Sequence, residues 1–270
     1  MGDGKTIMPR VVSVVGATRG VGRSSIALNL AAAACRTHRV CLLDAAGGLA
    51  ARGAAGEEPA ALTDVVMGRA RLSDALARGP EGIDVLALER SERHVAPPLS
   101  QSALLAHIDA LEPHYDVVVI DAPVGSQSMA RFFAAAGTEV LLVVTPQAHA
   151  VRQAQAMLRV LASQCGRPEV LVLPNACSSP DDATAIVGAL GRMAFRPPHV
   201  RVLPLGWIPF DEAIGLAKSR GRAVVASLPE SPAAGAFVGA ANRLLSGSPA
   251  RPTGGAQFFF QTLIAQGRAA

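Results

Sequence analysis

Short, wholly apolar runs recur along the chain, separated by longer stretches of mixed character. The runs at residues 11–15, 40–43, 83–88, 117–120, 140–144, 170–173 and 200–205 are rich in Val, Ile and Leu. A run that is apolar at every position, rather than at every second one, suits a strand covered on both faces, as in a parallel sheet. Between these runs, residues 24–35, 100–111, 151–164 and 181–193 have helix-forming composition at helical length. Strand and helix in repeated alternation predict a single α/β domain on a doubly wound, mostly parallel sheet. Residues 45–59 are mostly small and read as a loop, and residues 246–257, rich in Ser, Gly and Pro, read as a linker. The expected organisation is one domain over residues 10–246, then a linker and short apolar tail over 247–270.

Doubly wound sheets take ligands at the carboxyl ends of their strands, so the residues that follow each run matter most. After the first run comes Gly16-Ala17-Thr18-Arg19-Gly20-Val21-Gly22-Arg23-Ser24-Ser25, leading into the first helical stretch. A strand, a glycine-rich turn and a helix start together offer backbone N–H groups and a positive helix end to a phosphate. The P-loop pattern G-x-x-x-x-G-K-[ST] asks for a lysine to neutralise phosphate charge and a hydroxyl to bind Mg²⁺. Here Ala17 stands for its first glycine and Arg23 for its lysine, while Gly22 and Ser24 keep their places. The second run ends at Asp44 and the fourth at Asp121. An aspartate at the tip of a buried strand beside a phosphate loop can help to hold Mg²⁺.

From these residues the chain resembles the MinD/ParA class of deviant-Walker P-loop ATPases, over residues 10 to 246. The class loop K-G-G-x-G-K-[ST] falls on Thr18 to Ser24. Tyr115-Asp116-Val117-Val118-Val119-Ile120-Asp121-Ala122-Pro123 is similar to its Walker B segment, and Leu42-Leu43-Asp44 to the strand end carrying its Walker A′ aspartate. The resemblance implies ATP and Mg²⁺ as cofactors, bound over Thr18, Arg19, Gly20, Val21, Gly22, Arg23, Ser24 and Ser25. It implies metal support from Ser24 and Asp121, water orientation by Asp44, phosphate charge met by Arg23, and base contacts at Asn175 and Pro209. Residues 222–225, 228–234 and 236–237 resemble the FlhG branch of the class, which regulates flagellar number and placement. That likeness implies flagellar assembly or regulatory proteins as partners, and a homodimer.

The departures are as specific as the matches. The signature lysine of the class falls at Thr18, a loop glycine at Arg19 and the second lysine at Arg23. A planar guanidinium does not simply replace a compact ammonium, so weak or absent hydrolysis is expected. The alternatives are a non-hydrolysing scaffold of the same fold serving cellulose secretion or a pilus, and a ParA-like partitioning factor.

Composition adds limits. Half of the chain is hydrophobic and 17% is charged, which excludes a disordered chain. Of 25 basic residues only Lys5 and Lys218 are lysine, so neither reaches the loop. The net charge of +4 is scattered, with one brief cluster at Lys218, Arg220 and Arg222, and no specific nucleic acid partner is expected. Cys35, Cys41, Cys165 and Cys177 lack metal-ligand spacing, and Cys41 reads as a small buried hydrophobe. Residues 1–10 have no apolar signal core, and no apolar stretch is long enough to span a bilayer, so a cytoplasmic chain is expected. In the tail, Phe258, Phe259, Phe260, Leu263 and Ile264 can dock on protein or lie peripherally on the membrane's inner face.

Overall fold

Every apolar run forms a strand in the computed structural model, which describes residues 10–48, 59–89, 106–107, 111, 114–123, 127–165, 167–194 and 199–247. The strands are β1 (Arg10–Val15), β2 (Val40–Asp44), β3 (Leu76–Arg78), β4 (Asp84–Ala87), β5 (Val117–Asp121), β6 (Glu139–Val144), β7 (Glu169–Pro174) and β8 (Arg201–Pro204). They make one sheet in the order β3-β4-β2-β5-β1-β6-β7-β8. All neighbours pair in parallel except β3, which runs antiparallel to β4 at the edge. The doubly wound, mostly parallel sheet expected from the sequence is therefore the architecture. The short edge strand β3 lies where the sequence pattern predicted no element.

The helices are α1 (Arg23–Ala34), α2 (Leu62–Val66), α3 (Leu72–Ala75), α4 (Gln127–Ala136), α5 (Ala148–Gln164), α6 (Pro180–Ala194), α7 (Glu212–Ser219), α8 (Val224–Ser227) and α9 (Pro232–Ser246). Alternate strand residues feed two separate cores. Val118, Ile120, Leu142 and Val144 join Phe132, Phe133, Leu158 and Leu190 on one face. Val117, Val119, Leu141 and Val143 join Ile26, Leu30, Phe237 and Leu244 on the other. Helix α5 shows why one side of it faces inward, because its buried Ala150, Ala154, Leu158 and Leu161 fall three or four residues apart. Helix α1 is buried nearly all round, and its run Ala31–Ala34 gives a smooth surface between the sheet and α9.

Residues 212–246 form three helices beyond those the sequence pattern predicts. Asp211 starts α7 by accepting from Ala213 N–H, and its other carboxylate oxygen accepts from Ala233 N–H at the start of α9. Ser231 caps α9 with Pro232 in its first turn, the pairing that favours a helix start. Helix α4 is likewise beyond the predicted set. At its C-terminal end the buried Arg167 guanidinium donates to the carbonyls of Ala134, Ala135, Gly137 and Thr138. The helix expected at 100–111 is described only at residues 106–107 and 111, residues 49–58 of the expected loop are not described, and the tail lies outside the described residues.

Candidate functional site: the phosphate loop and its aspartates

Parallel pairing brings the ends of β1, β2 and β5 to one edge of the sheet. Asp44 and Asp121 are register partners on adjacent strands, and Val14 on β1 is the partner of Asp121 on its other side. The loop 16–22 leaves β1 at this edge and enters α1 at Arg23. The sequence therefore placed these three features correctly relative to one another.

Two glycines set the course of the loop. Gly20 has φ of 80° and Gly22 of 89°, a left-handed region that side chains rarely adopt. A Cβ on Gly22 would also run into the Asn175 carboxamide. That carboxamide follows the end of β7 and donates to the Val21 carbonyl at 2.8 Å. Asn175, expected as a base contact, thus braces the loop in this structure. Pro209 lies beside Cys177 in an isolated parallel bridge, next to the exposed Phe210. Thr18 is half-buried and Arg19 exposed, while Ser24 and Ser25 are half-buried in the first turn of α1.

Asp121 is wholly buried, and neither of its oxygens has a hydrogen-bond partner. Burial pushes its carboxyl up to about 6, and the charge of Asp44 adds to the rise. The Ser24 hydroxyl and the Arg23 guanidinium pull in the opposite direction. Ser24 lies close enough to relieve the charge without closing a bond of good geometry. Asp44 is also buried, and its two oxygens accept from Gly47 N–H at 2.8 Å and Gly48 N–H at 3.0 Å. Its carboxylate thereby organises the chain just beyond β2.

Arg23 is only 9% exposed. Its stem lies against Gly16, and its guanidinium donates to the carbonyl of Ala122, the residue after β5. Burial lowers its pKa, an effect that the Asp121 charge opposes. The guanidinium expected to face phosphate is in this arrangement turned inward.

These residues fit a magnesium-bound phosphate in one respect above all. A buried carboxylate with two unsatisfied oxygens beside a hydroxyl suits a hard divalent cation. Mg²⁺ takes few protein ligands and completes its shell with phosphate and water. Ser24 and Asp121 would support the ion, and the backbone N–H groups of the loop would face the phosphates. Bound there, the cation would neutralise developing phosphate charge.

The sheet order, the loop and the two strand-end aspartates define a P-loop ATPase fold of the MinD/ParA type, and the chain belongs to that family. The chain is 32% identical over 261 residues to the antiactivator FleN of Pseudomonas aeruginosa, covering 94% of this chain and 93% of that protein. It is 27% identical over 249 residues to an uncharacterized ATP-binding protein of Methanocaldococcus jannaschii, covering 89% of each. The cell-division ATPase MinD of Pyrococcus furiosus superposes with a TM-score of 0.70 at 25% identity, over 88% of this chain and 99% of that one. No protein-family model matches the chain.

Sequence reasoning missed one residue that holds the helix behind the loop and one that braces the opposite edge of the sheet. Asn29, inside α1, accepts from Val224 N–H at 2.7 Å and so ties the helix that starts at the loop to α8. A buried polar residue in an otherwise apolar helix was the available signal. Arg167 left no comparable signal, because its acceptors are backbone carbonyls more than twenty residues away in sequence.

Proposed function

We propose that this protein is a nucleotide-binding regulator of the MinD/FlhG type that controls flagellar number or placement, with weak or absent ATP hydrolysis. The observation that carries the reading is the unsatisfied Asp121 carboxylate beside Ser24, at the mouth of a glycine-turned loop. The antiactivator relative supports a regulatory protein as partner. Engagement of flagellar assembly proteins, a homodimer and peripheral membrane contact through Phe258–Phe260 extend the same reading. No helix among the described residues is long and apolar enough to cross a membrane.

In this reading the loop from Thr18 to Ser25 binds the phosphates of ATP, and Ser24 and Asp121 hold Mg²⁺. Asn175 and Pro209 border the base. Asp44 orients water from a carboxylate that the amides of Gly47 and Gly48 hold in place. A second reading, a non-hydrolysing scaffold that docks partners through the same fold, is favoured by one observation: the inward-turned Arg23.

Thermal unfolding with millimolar Mg·ATP separates the two, because a ligand that binds the native state raises its apparent stability. The regulator reading expects a rise that Asp121→Ala abolishes relative to that variant's own baseline, with turnover far below that of a MinD-type ATPase. No rise leaves the scaffold. Rapid Mg²⁺-dependent hydrolysis contradicts both. Deletion of the gene should alter flagellar number or placement, and unchanged flagellation removes that assignment. Equal pelleting with liposomes by the full chain and by a chain ending at Gly255 removes the membrane contact.

A further inference from the structure

The phosphate loop carries two arginines, and their surroundings are opposite. Arg23 is buried, with its stem against Gly16 and its guanidinium on the Ala122 carbonyl. It lies near enough to Asp121 for each charge to influence the other, yet the two form no ion pair. Arg23 therefore spans the loop floor, joining the start of α1 to the chain just past β5. Arg19 is exposed at the loop tip and makes no hydrogen bond or ion pair among the described residues. Beside it, a Cβ at Gly20 would meet nothing within 4 Å, so the tip opens onto free space.

A phosphate approaching this loop meets backbone N–H groups, the start of α1 and, beneath them, the unsatisfied Asp121 carboxylate. It also needs a cationic partner. Arg23 has one terminal nitrogen committed to the Ala122 carbonyl, so presenting its full fork means leaving its packing on Gly16, vacating that carbonyl and moving its positive charge away from Asp121. Arg19 can supply one by turning about its own side-chain bonds, and a guanidinium fork matches phosphate oxygens two at a time.

We propose that Arg19, rather than Arg23, meets the phosphates of a bound nucleotide, and that Arg23 is a positioning residue holding the Ala122–Asp121 strand end from within. The ligand class, a nucleoside polyphosphate, rests on the function proposed above. The inward charge of Arg23 then has a second consequence. It competes with Mg²⁺ for the field of Asp121, so the metal binds less tightly than the buried carboxylate alone would allow.

The test uses the full chain with Arg19→Met, Arg23→Met and Arg23→Lys, probed with Mg·ATP, inorganic tripolyphosphate and adenosine. Arg19→Met is expected to weaken ATP and tripolyphosphate by about tenfold or more, the loss of one charge-assisted contact. Adenosine binding and the unfolding midpoint of the ligand-free protein should not move. Arg23→Met is expected to lower that midpoint and to reduce the Mg²⁺ concentration needed for half-maximal ATP binding, a change that loss of packing alone would not produce. It should also lose less tripolyphosphate affinity than Arg19→Met. Arg23→Lys should recover part of the midpoint, since an ammonium can also donate to Ala122. Tripolyphosphate affinity that falls more in Arg23→Met than in Arg19→Met overturns the proposal. Wild-type protein that binds neither polyphosphate overturns both the nucleotide reading and the Arg19 assignment. Wild-type binding that ignores Arg19→Met overturns the assignment alone.

Discussion

A buried acid without a donor destabilises the protein that carries it, and Asp121 is such an acid. Its carboxyl is raised from 3.8 to about 6 because burial, aided by Asp44, penalises the charged form. The fold therefore favours the protonated group. The contribution is fully present below the unfolded value near 3.8 and is lost as pH rises through about 6. Above that range the ionised carboxylate costs up to about 3 kcal/mol. Asp121→Asn should raise the stability of the ligand-free protein by that order at about pH 8 and by about half as much at about pH 5. Urea unfolding at the two pH values reads the difference, and an equal gain at both would place the titrating group elsewhere. A residue kept at such a cost is consistent with a cation-binding role, since function and stability commonly conflict at sites.

Among the elements, those legible in the sequence were the ones with simple periodicity. The continuous apolar runs announced β1, β2 and β4 to β8, and helix α5 showed its apolar stripe. The C-terminal helices were harder. Helix α9 carries two glycines and many alanines, a composition that reads as loop or helix alike. Its buried positions, Ala233, Phe237, Ala240 and Leu244, nonetheless recur at helical spacing, and Ser231-Pro232 marks its start. What no local pattern revealed is that Asp211 caps two helices, because Ala233 is 22 residues away. Asp211→Ala should cost about 2 kcal/mol, roughly one for each N–H left without an acceptor. Denaturant unfolding measures the loss, and a change below about 0.5 kcal/mol would mean that water replaces both bonds. The candidate site divides in the same way. Gly22, Ser24, Asp44 and Asp121 were found from their order along the chain, whereas the inward course of Arg23 and the grip of Asn175 on Val21 depend on which atoms lie across the loop.

At the scale of the whole molecule, the loop is held from behind by a helix pair that spans nearly the full sequence. Helix α1 begins at the loop, packs on α9 and, through Asn29, holds the backbone of α8. Phe237 is wholly buried in the same core as Ile26 and Leu30. Phe237→Ala should destabilise the protein by about 3–5 kcal/mol, the transfer loss plus the cavity left behind. Amide hydrogen exchange should also quicken in the first turns of α1. Unchanged exchange there would mean that the loop is held by the sheet alone.

The sequence by itself determined the sheet, its parallel character, the place of the loop and the identity of the acids at its edge. Those properties follow from patterns within a few residues, where continuous hydrophobicity requires burial on two faces and glycines permit a left-handed turn. Tertiary structure alone decided what each polar group at the site does. Asp121 is left without a donor, Asp44 is occupied by its own loop, and Arg23 is buried against Ala122 while Arg19 is exposed. The two arginines have the same chemistry and lie in the same loop. Desolvation and the position of one backbone carbonyl, both set by strands brought together from distant parts of the chain, separate their roles.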